Sequence, residues 1–183
     1  PFRQGYTKNM NSRTATIIGA TGLIGSHLWE LLKKDAYFDT IRLLVRRPLP
    51  HSDPKTEVKL IDFNDTESFK IGIYGSHAVF CAVGTTQKKT GGDKQAYRKI
   101  DYDIAVKAAQ FCHETDCENY LLVSSVGASV KSKLFYLKLK GEIEEKVKSY
   151  PINSISIFRP SMLLGERKEK RTGERWPQSA MKK

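Results

Sequence analysis

A tyrosine and a lysine four positions apart carry the most specific chemistry in this sequence. Tyr136 and Lys140 lie in FYLKLKGEIEEKV, whose apolar residues recur at helical spacing, so the two side chains share one helix face. A phenol, with a pKa of about 10, transfers a proton near neutral pH only where a nearby cation lowers that pKa. Lys140 supplies such a cation, and the pair therefore indicates proton transfer at a carbonyl or alcohol oxygen. Ordinary amphipathic helices also show this spacing, so the interpretation depends on the rest of the chain.

Two serines stand at the end of the strand that is predicted before this helix. NYLLVSS (119–125) has the short apolar run of a buried strand, and it ends in Ser124 and Ser125. A serine hydroxyl at this point could polarise a carbonyl group and orient it. The residues leave open which of the two serines has this role.

A glycine-rich loop near the start of the chain predicts a dinucleotide site. GATGLIG (19–25) lies between an apolar strand, TATIIG, and a helix with leucines at helical spacing. Glycines allow a tight turn and a close approach of backbone to pyrophosphate, and the helix N-terminus offers free N–H groups to the phosphates. The residues predicted to hold the cofactor here are Gly19, Thr21, Gly22, Leu23, Ile24 and Gly25.

The end of the second predicted strand indicates which cofactor is bound. TIRLLV (40–45) is followed by Arg46 and Arg47, where a site for NAD usually has a carboxylate for the ribose hydroxyls. Guanidinium groups pair with a 2′-phosphate, which a carboxylate would repel. The sequence therefore predicts NADP(H), with NAD(H) as the less favoured cofactor. The alternative is that both arginines only face solvent.

Two further strand ends complete the predicted cofactor site. Asp62 and Phe63 close the third strand, where a carboxylate and a backbone N–H could meet the adenine, although Asp62 could instead cap the following helix. The fourth strand runs into small residues that leave room for ribose and phosphates. These residues are Ala82, Val83, Gly84 and Thr85.

The strands and helices that must position these residues alternate along the chain. Almost wholly apolar strands predict an α/β fold, a doubly wound parallel sheet with helices on both faces and ligands at the carboxyl ends of the strands. The predicted strands are 14–19, 40–45, 57–63, 77–83, 119–125 and 153–160, and the longest predicted helices are 95–116 and 132–148.

Length and composition predict one domain without a membrane span. We expect residues 10–183 to form a single NADP(H)-binding domain and residues 1–9 to be a tag or flexible arm. The net charge is +11, and residues 164–183 are predicted as a basic tail near the substrate. Nucleic-acid binding is disfavoured because no basic motif is interleaved with aromatic residues. No run of about 20 apolar residues is present, the three cysteines lack metal-ligand spacing, and we expect a cytoplasmic location.

Five motifs together resemble the short-chain dehydrogenase/reductases. GATGLIG, CAVGTT, SSVGAS, YLKLKGEIE and FRPSMLLGERKEKRTGE match in order from about residue 13 to 175, and they are most similar to the atypical branch of HIV-Tat-interacting oxidoreductase-like proteins. The resemblance implies an NADP-type Rossmann fold in which Tyr136 is the proton donor or acceptor. It implies that Lys140 assists Tyr136 and, with it, contacts the nicotinamide ribose, and that Ser125 (or Ser124) polarises the carbonyl.

The same resemblance extends to the end of the chain. It implies cofactor contacts from Pro160, Leu163 and Arg171, although Ser161 stands where the family often has glycine. A proton relay in this family often uses Asn or Asp from the long helix, and Asp101 and Asp103 are left unassigned. Extended relatives continue beyond this point, so the C-terminal substrate region is expected to be short or missing.

Three functions fit these observations. The first is an NADP(H)-dependent oxidoreductase that transfers a hydride to or from a small carbonyl or alcohol substrate. The second is an NADP(H)-binding redox sensor without turnover that contacts a protein partner, and a homodimer is also considered. The third is a nucleotide-sugar epimerase or dehydratase, which the arginines after the second strand disfavour.

Overall fold

A six-stranded sheet forms the centre of the computed structural model, which describes residues 12–161. The strands are β1 (Thr14–Ile18), β2 (Thr40–Val45), β3 (Thr56–Leu60), β4 (Ala78–Cys81), β5 (Asn119–Val123) and β6 (Ser154–Phe158). Their order in the sheet is β3-β2-β1-β4-β5-β6, and every neighbouring pair is parallel. The direction of winding reverses between β1 and β4, which creates a crevice at the carboxyl ends of these strands. The predicted doubly wound Rossmann fold is confirmed.

Helices cover both faces of this sheet, as its two apolar faces require. They are α1 (Leu23–Lys34), α2 (Thr66–Ile73), α3 (Lys94–Arg98), a π-helical segment (Lys99–Asp103), α4 (Ile104–Glu114) and α5 (Phe135–Lys148). One core cluster joins α2, α4 and α5 to the sheet through fully buried residues such as Phe69, Tyr120 and Ile143. A second cluster on the opposite face joins α1 to β1 and β2 through Ile17, Leu32 and Leu43.

The long helix predicted over 95–116 consists of three consecutive pieces. Asp93 caps α3 by accepting hydrogen bonds from the backbone N–H groups of Gln95 and Ala96. The π-helical segment then inserts an extra residue before α4, which changes the direction of the side chains relative to a continuous α-helix. Asp101 in this segment is buried, and the prediction of one continuous helix did not include its burial.

The stripe predicted on α5 packs on the sheet. Leu139, Ile143 and Val147 are fully buried, and Phe135 is half-buried against the same cluster. Lys140 and Glu144 are buried as well, although both carry a charge. Among residues 12–161, no helix is long and apolar enough to cross a membrane.

Candidate dinucleotide and active site

The glycine loop forms the turn from β1 into α1. Gly19 has a φ of +89°, which other residues rarely adopt, and a Cβ there would lie 2.7 Å from the Ala82 carbonyl oxygen. The Gly22 N–H donates to the Gly19 carbonyl at 3.0 Å, and a Cβ on Gly25 would overlap that same carbonyl. The loop is therefore packed against the end of β4 in a way that only glycine permits at these positions.

The N-terminus of α1 is open to an anion. Gly22 occupies the cap position, no side chain caps the helix, and its first turn has no acidic residue. Thr21 and Gly22 are exposed, and Leu23 and Ile24 are half-buried. Uncapped N–H groups at the positive end of a helix fit a pyrophosphate, so the loop has the chemistry that the sequence predicted for it.

The two arginines after β2 are available to a ligand. Val45 ends the strand in a buried position, and Arg46 and Arg47 are exposed directly after it. Among the described residues, neither guanidinium forms an ion pair or hydrogen bond with a side chain. The arginines lie at the carboxyl edge of the sheet, next to the glycine loop that follows the neighbouring strand β1.

Asp62 and Phe63 follow β3 in a tight turn. The Asp62 carboxylate accepts hydrogen bonds from the backbone and side-chain N–H groups of Asn64 at 2.9 Å and stays exposed. The alternative that Asp62 caps α2 is wrong, because Asp65 occupies the cap and accepts from the Glu67 N–H. Phe63 packs edge-to-face on Phe69 with ring centroids 4.8 Å apart, which fixes this turn to the core.

The segment after β4 is held by a buried carboxylate. Ala82 and Val83 are half-buried and Gly84 is exposed, while the buried Thr85 donates its N–H to Asp101 Oδ1 at 2.7 Å. The Tyr97 hydroxyl donates to the Thr85 carbonyl at 3.0 Å. These contacts tie the backbone of the predicted ribose and phosphate site to α3 and the π-helical segment.

Tyr136 and Lys140 lie side by side on α5, and Asp101 joins them. The Lys140 Nζ is 5.9 Å from the centroid of the Tyr136 ring and 3.1 Å from Asp101 Oδ2. The contact between Lys140 Nζ and Asp101 Oδ2 is an ion pair without the alignment of a hydrogen bond. Asp101 and Lys140 are 1% and 5% exposed, so this ion pair is withdrawn from water.

Asp101 is the site residue that sequence reasoning left unassigned. Ile104, Ala105 and Ala108 are buried, and they follow Asp101 at spacings of three, four and seven residues, the spacings of one helix face. A carboxylate in line with such a stripe needs a buried partner. This charge within an apolar pattern is the signal that could have identified it.

The two serines after β5 have different surroundings. Ser124 is buried, and its hydroxyl donates to Glu144 Oε1 on α5. Ser125 is half-buried, and its hydroxyl donates to the Val126 carbonyl at 3.2 Å in the loop that leads to α5. Because the Ser124 hydroxyl is bound inside the protein, the geometry favours Ser125 as the serine that a substrate could reach.

Glu144 links Ser124 to the end of β6. Its carboxylate accepts from Ser124 and forms a bidentate ion pair with Arg159, the residue of the FRP motif. Burial opposes ionisation of Glu144, but the hydrogen bonds from Arg159 and Ser124 and the charge of Arg159 outweigh it and lower the pKa of the carboxyl. This link was not predicted from the sequence.

Glu144→Gln is expected to lower stability in a pH-dependent way. A carboxyl with a lowered pKa in the folded state stabilises that state above its ordinary value of 4.5 and loses this contribution as the pH falls through the folded value. Urea unfolding should therefore show a gap between wild type and variant near neutral pH that narrows below about pH 4.5. Glu145→Gln, on the exposed neighbour, is the control. An equal gap at all pH values would contradict the ion pair.

The loop between β5 and α5 packs closely on the helix. A Cβ on Gly141 would overlap the backbone of Ser129 and Val130, and the Ser129 N–H donates to the Leu137 carbonyl at 3.1 Å. The Val126 N–H donates to the Pro160 carbonyl at 3.0 Å, so Pro160 lies beside this loop. The other two predicted contacts after β6, Leu163 and Arg171, and the basic segment 164–183 lie outside the described residues.

A recess of about 330 Å³ lies at the opposite edge of the sheet. Its lining includes Tyr37, His77, Asn119 and Ser154, which stand at or just before the amino ends of strands. Ligands of open parallel sheets bind at the carboxyl ends. This recess therefore belongs to neither the glycine loop nor the Tyr136 region.

Comparisons with known sequences identify the family. A family model described as NAD(P)H-binding matches residues 19–175. Protein HTATIP2 of Rattus norvegicus is 32% identical over 168 residues, which are 90% of this chain and 69% of that protein. Protein FMP52 of Debaryomyces hansenii, named as mitochondrial, is 36% identical over 160 residues, which are 85% of this chain and 69% of that protein.

Comparisons with solved structures identify the same fold. The oxidoreductase ylbE from Lactococcus lactis superposes with a TM-score of 0.69 at 19% identity, covering 84% of this chain and 71% of that chain. MoeE5 in complex with UDP-glucose and NAD has a TM-score of 0.66 at 17% identity, covering 80% and 53%. This chain spans about half of the MoeE5 chain. The family model covers most of the sequence, and we conclude that the chain belongs to the NAD(P)H-binding family of Rossmann-fold proteins.

Proposed function

We propose that this chain is the cofactor-binding and proton-transferring part of an NADP(H)-dependent oxidoreductase of the short-chain type, acting on a carbonyl or alcohol. The observation that carries the proposal is the placement of Tyr136 and the buried Lys140 in the first two turns of α5. Because α5 follows β5 along the chain, these turns lie at the carboxyl edge of the sheet, where the glycine loop also lies.

Each side chain has a separate task in this proposal. A bound nicotinamide supplies a hydride to the carbonyl carbon, or accepts one from the alcohol. The Tyr136 hydroxyl gives a proton to the carbonyl oxygen and takes it back in the reverse direction. Lys140 is the counter-ion for negative charge on the phenol oxygen, and Asp101 holds its ammonium group in place. The Ser125 hydroxyl donates a hydrogen bond to the carbonyl oxygen.

The cofactor proposal rests on Arg46 and Arg47. Both guanidinium groups are exposed, and two charge-assisted hydrogen bonds to a 2′-phosphate would favour NADP(H) over NAD(H). We expect NADPH to bind at least about tenfold more tightly than NADH, a difference of about 1.4 kcal/mol. Fluorescence titration of the reduced nicotinamide measures both affinities.

The variant Arg46→Ala/Arg47→Ala is the matched test of this preference. It should weaken NADPH binding to about the level of NADH, while NADH binding stays unchanged and serves as the internal control. Equal affinities of the wild-type protein for NADPH and NADH would remove the support for NADP(H).

A second candidate function is an NADP(H)-binding sensor without turnover. The pairing of Lys140 with Asp101 favours it, since part of the lysine charge is then compensated within the protein. Consumption of NADPH in the presence of aldehydes, ketones, quinones and nucleotide sugars separates the two functions. Turnover of any class supports the oxidoreductase, whereas tight NADPH binding without turnover supports the sensor.

We also propose a cytoplasmic location and no nucleic-acid partner.

A further inference from the structure

We infer that the substrate of this site is an anion, which carries a carboxylate or phosphate in addition to the reacting carbonyl or alcohol; the inference rests on the proposed oxidoreductase function. Its basis is the distribution of charge. Residues 82–99 and 124–139 contain eight basic side chains and one acidic side chain, a net charge of +7 out of +11 for the whole chain. Outside these two segments and residues 166–183, basic and acidic residues are equal in number.

The two basic segments lie where a substrate would enter. Residues 82–99 follow β4 and residues 124–139 follow β5, so both begin at the carboxyl edge on the β4–β5–β6 half of the sheet. Arg46 and Arg47 follow β2 on the other half, next to β3. The positive charge of the two segments is therefore separate from the arginines that are proposed to bind the 2′-phosphate.

Aromatic contacts hold the two segments together beside Tyr136. The Tyr97 and Phe135 rings meet edge-to-face with centroids 5.6 Å apart. The Lys94 ammonium lies 5.6 Å from the centroid of the same Phe135 ring. Because Phe135 immediately precedes Tyr136 on α5, these contacts place Lys94 and the start of α3 close to the residue proposed as proton donor.

Local carboxylates compensate only part of this charge. Asp93 is occupied by the N–H groups at the start of α3, and Glu142 pairs with Arg98. Within residues 12–161, no carboxylate forms an ion pair with five of the exposed lysines in these segments, which are Lys88, Lys99, Lys131, Lys133 and Lys138. Like charges gathered on two adjoining loops repel each other, and a bound anion relieves that repulsion.

A matched pair of substrates tests this inference on the full-length protein with NADPH. The probes are para-carboxybenzaldehyde and its methyl ester, which differ in charge but present the same aldehyde. We expect kcat/KM to be higher for the carboxylate, and we expect Lys131→Gln/Lys133→Gln to lower this preference by about five- to tenfold at low salt. Added salt should reduce the preference of the wild-type protein in the same direction.

A control variant and a binding measurement complete the test. Lys34→Gln/Lys148→Gln makes the same charge change on exposed lysines in the last turns of α1 and α5, and it should leave the preference unchanged. Calorimetric titration of the NADPH-bound protein with para-(hydroxymethyl)benzoate should show weaker binding to the Lys131/Lys133 variant than to wild type.

The outcomes separate the substrate class from the proposed function. Turnover of both aldehydes with equal kcat/KM, or an unchanged preference in the Lys131/Lys133 variant, would contradict the inference of an anionic substrate. Either result would still be consistent with the proposed oxidoreductase function. If the protein binds NADPH but reduces neither these aldehydes nor any other carbonyl compound, the oxidoreductase function is contradicted, and so is the substrate class inferred from it.

Discussion

Tyr136→Phe is expected to lower kcat for carbonyl reduction by about 10²- to 10⁴-fold while NADPH affinity stays within about twofold of wild type. The substitution removes the hydroxyl that would give its proton to the carbonyl oxygen. It keeps the aromatic ring, which is half-buried against the main core cluster, so the fold and the position of Lys140 should be preserved. Steady-state kinetics and fluorescence titration measure the two quantities separately.

Tyr150→Phe is the matched control for this experiment. Tyr150 is also half-buried against the main core cluster, but it lies just after the far end of α5. A helix of 14 residues is roughly 20 Å long, which places Tyr150 well away from the carboxyl edge. The control should retain wild-type turnover. If Tyr136→Phe also retained it, Tyr136 would not be the proton donor.

Asp101→Asn is expected to lower the free energy of unfolding by about 3 kcal/mol or more. Asparagine keeps the shape of the side chain and an oxygen for the Thr85 N–H, but it removes the charge that compensates the Lys140 ammonium. Removing one partner of a buried ion pair leaves the other charge in a poorly solvated site. Urea unfolding monitored by circular dichroism measures the change.

A double-mutant cycle shows whether the loss comes from this ion pair. Lys140→Met alone should also destabilise the protein, because it leaves the Asp101 carboxylate buried and unpaired by the ammonium. The double variant should be more stable than the sum of the two losses predicts. Asp103→Asn, two residues away on the same π-helical segment, is the control. Additive losses would show that Asp101 and Lys140 do not stabilise each other.

The fold could be predicted because the strong signals in this sequence are local. Short apolar runs such as IRLLV and YLLV predict strands buried on both faces, and GATGLIG predicts the turn between a strand and a helix. Parallel order and right-handed crossovers then leave few arrangements of the six strands. The observed helix and strand ends differ from the predicted ends by a few residues, because turns such as the one at Asp62 are set by side-chain hydrogen bonds.

The details of the site depend on contacts between distant parts of the chain. Tyr136 and Lys140 were predicted as a pair because both lie within one helical turn, whereas Asp101 and Lys140 lie on different helical segments and meet only in the folded protein. Ser124 and Ser125 are adjacent in sequence, and the hydrogen bond from the Ser124 hydroxyl to Glu144 is what distinguishes their surroundings. The spacing of residues in the sequence marks neither Glu144 as the partner of Ser124 nor Arg159 as the partner of Glu144.

Isotope transfer is the most direct measurement of the proposed reaction. The protein is incubated with NADPH deuterated at the reactive carbon of the nicotinamide and with a carbonyl compound that it reduces, and the alcohol is analysed by mass spectrometry. We predict deuterium at the former carbonyl carbon of the product in the wild-type protein and almost none with Tyr136→Phe. NADPH that binds tightly but never passes deuterium to any carbonyl compound would contradict the oxidoreductase function.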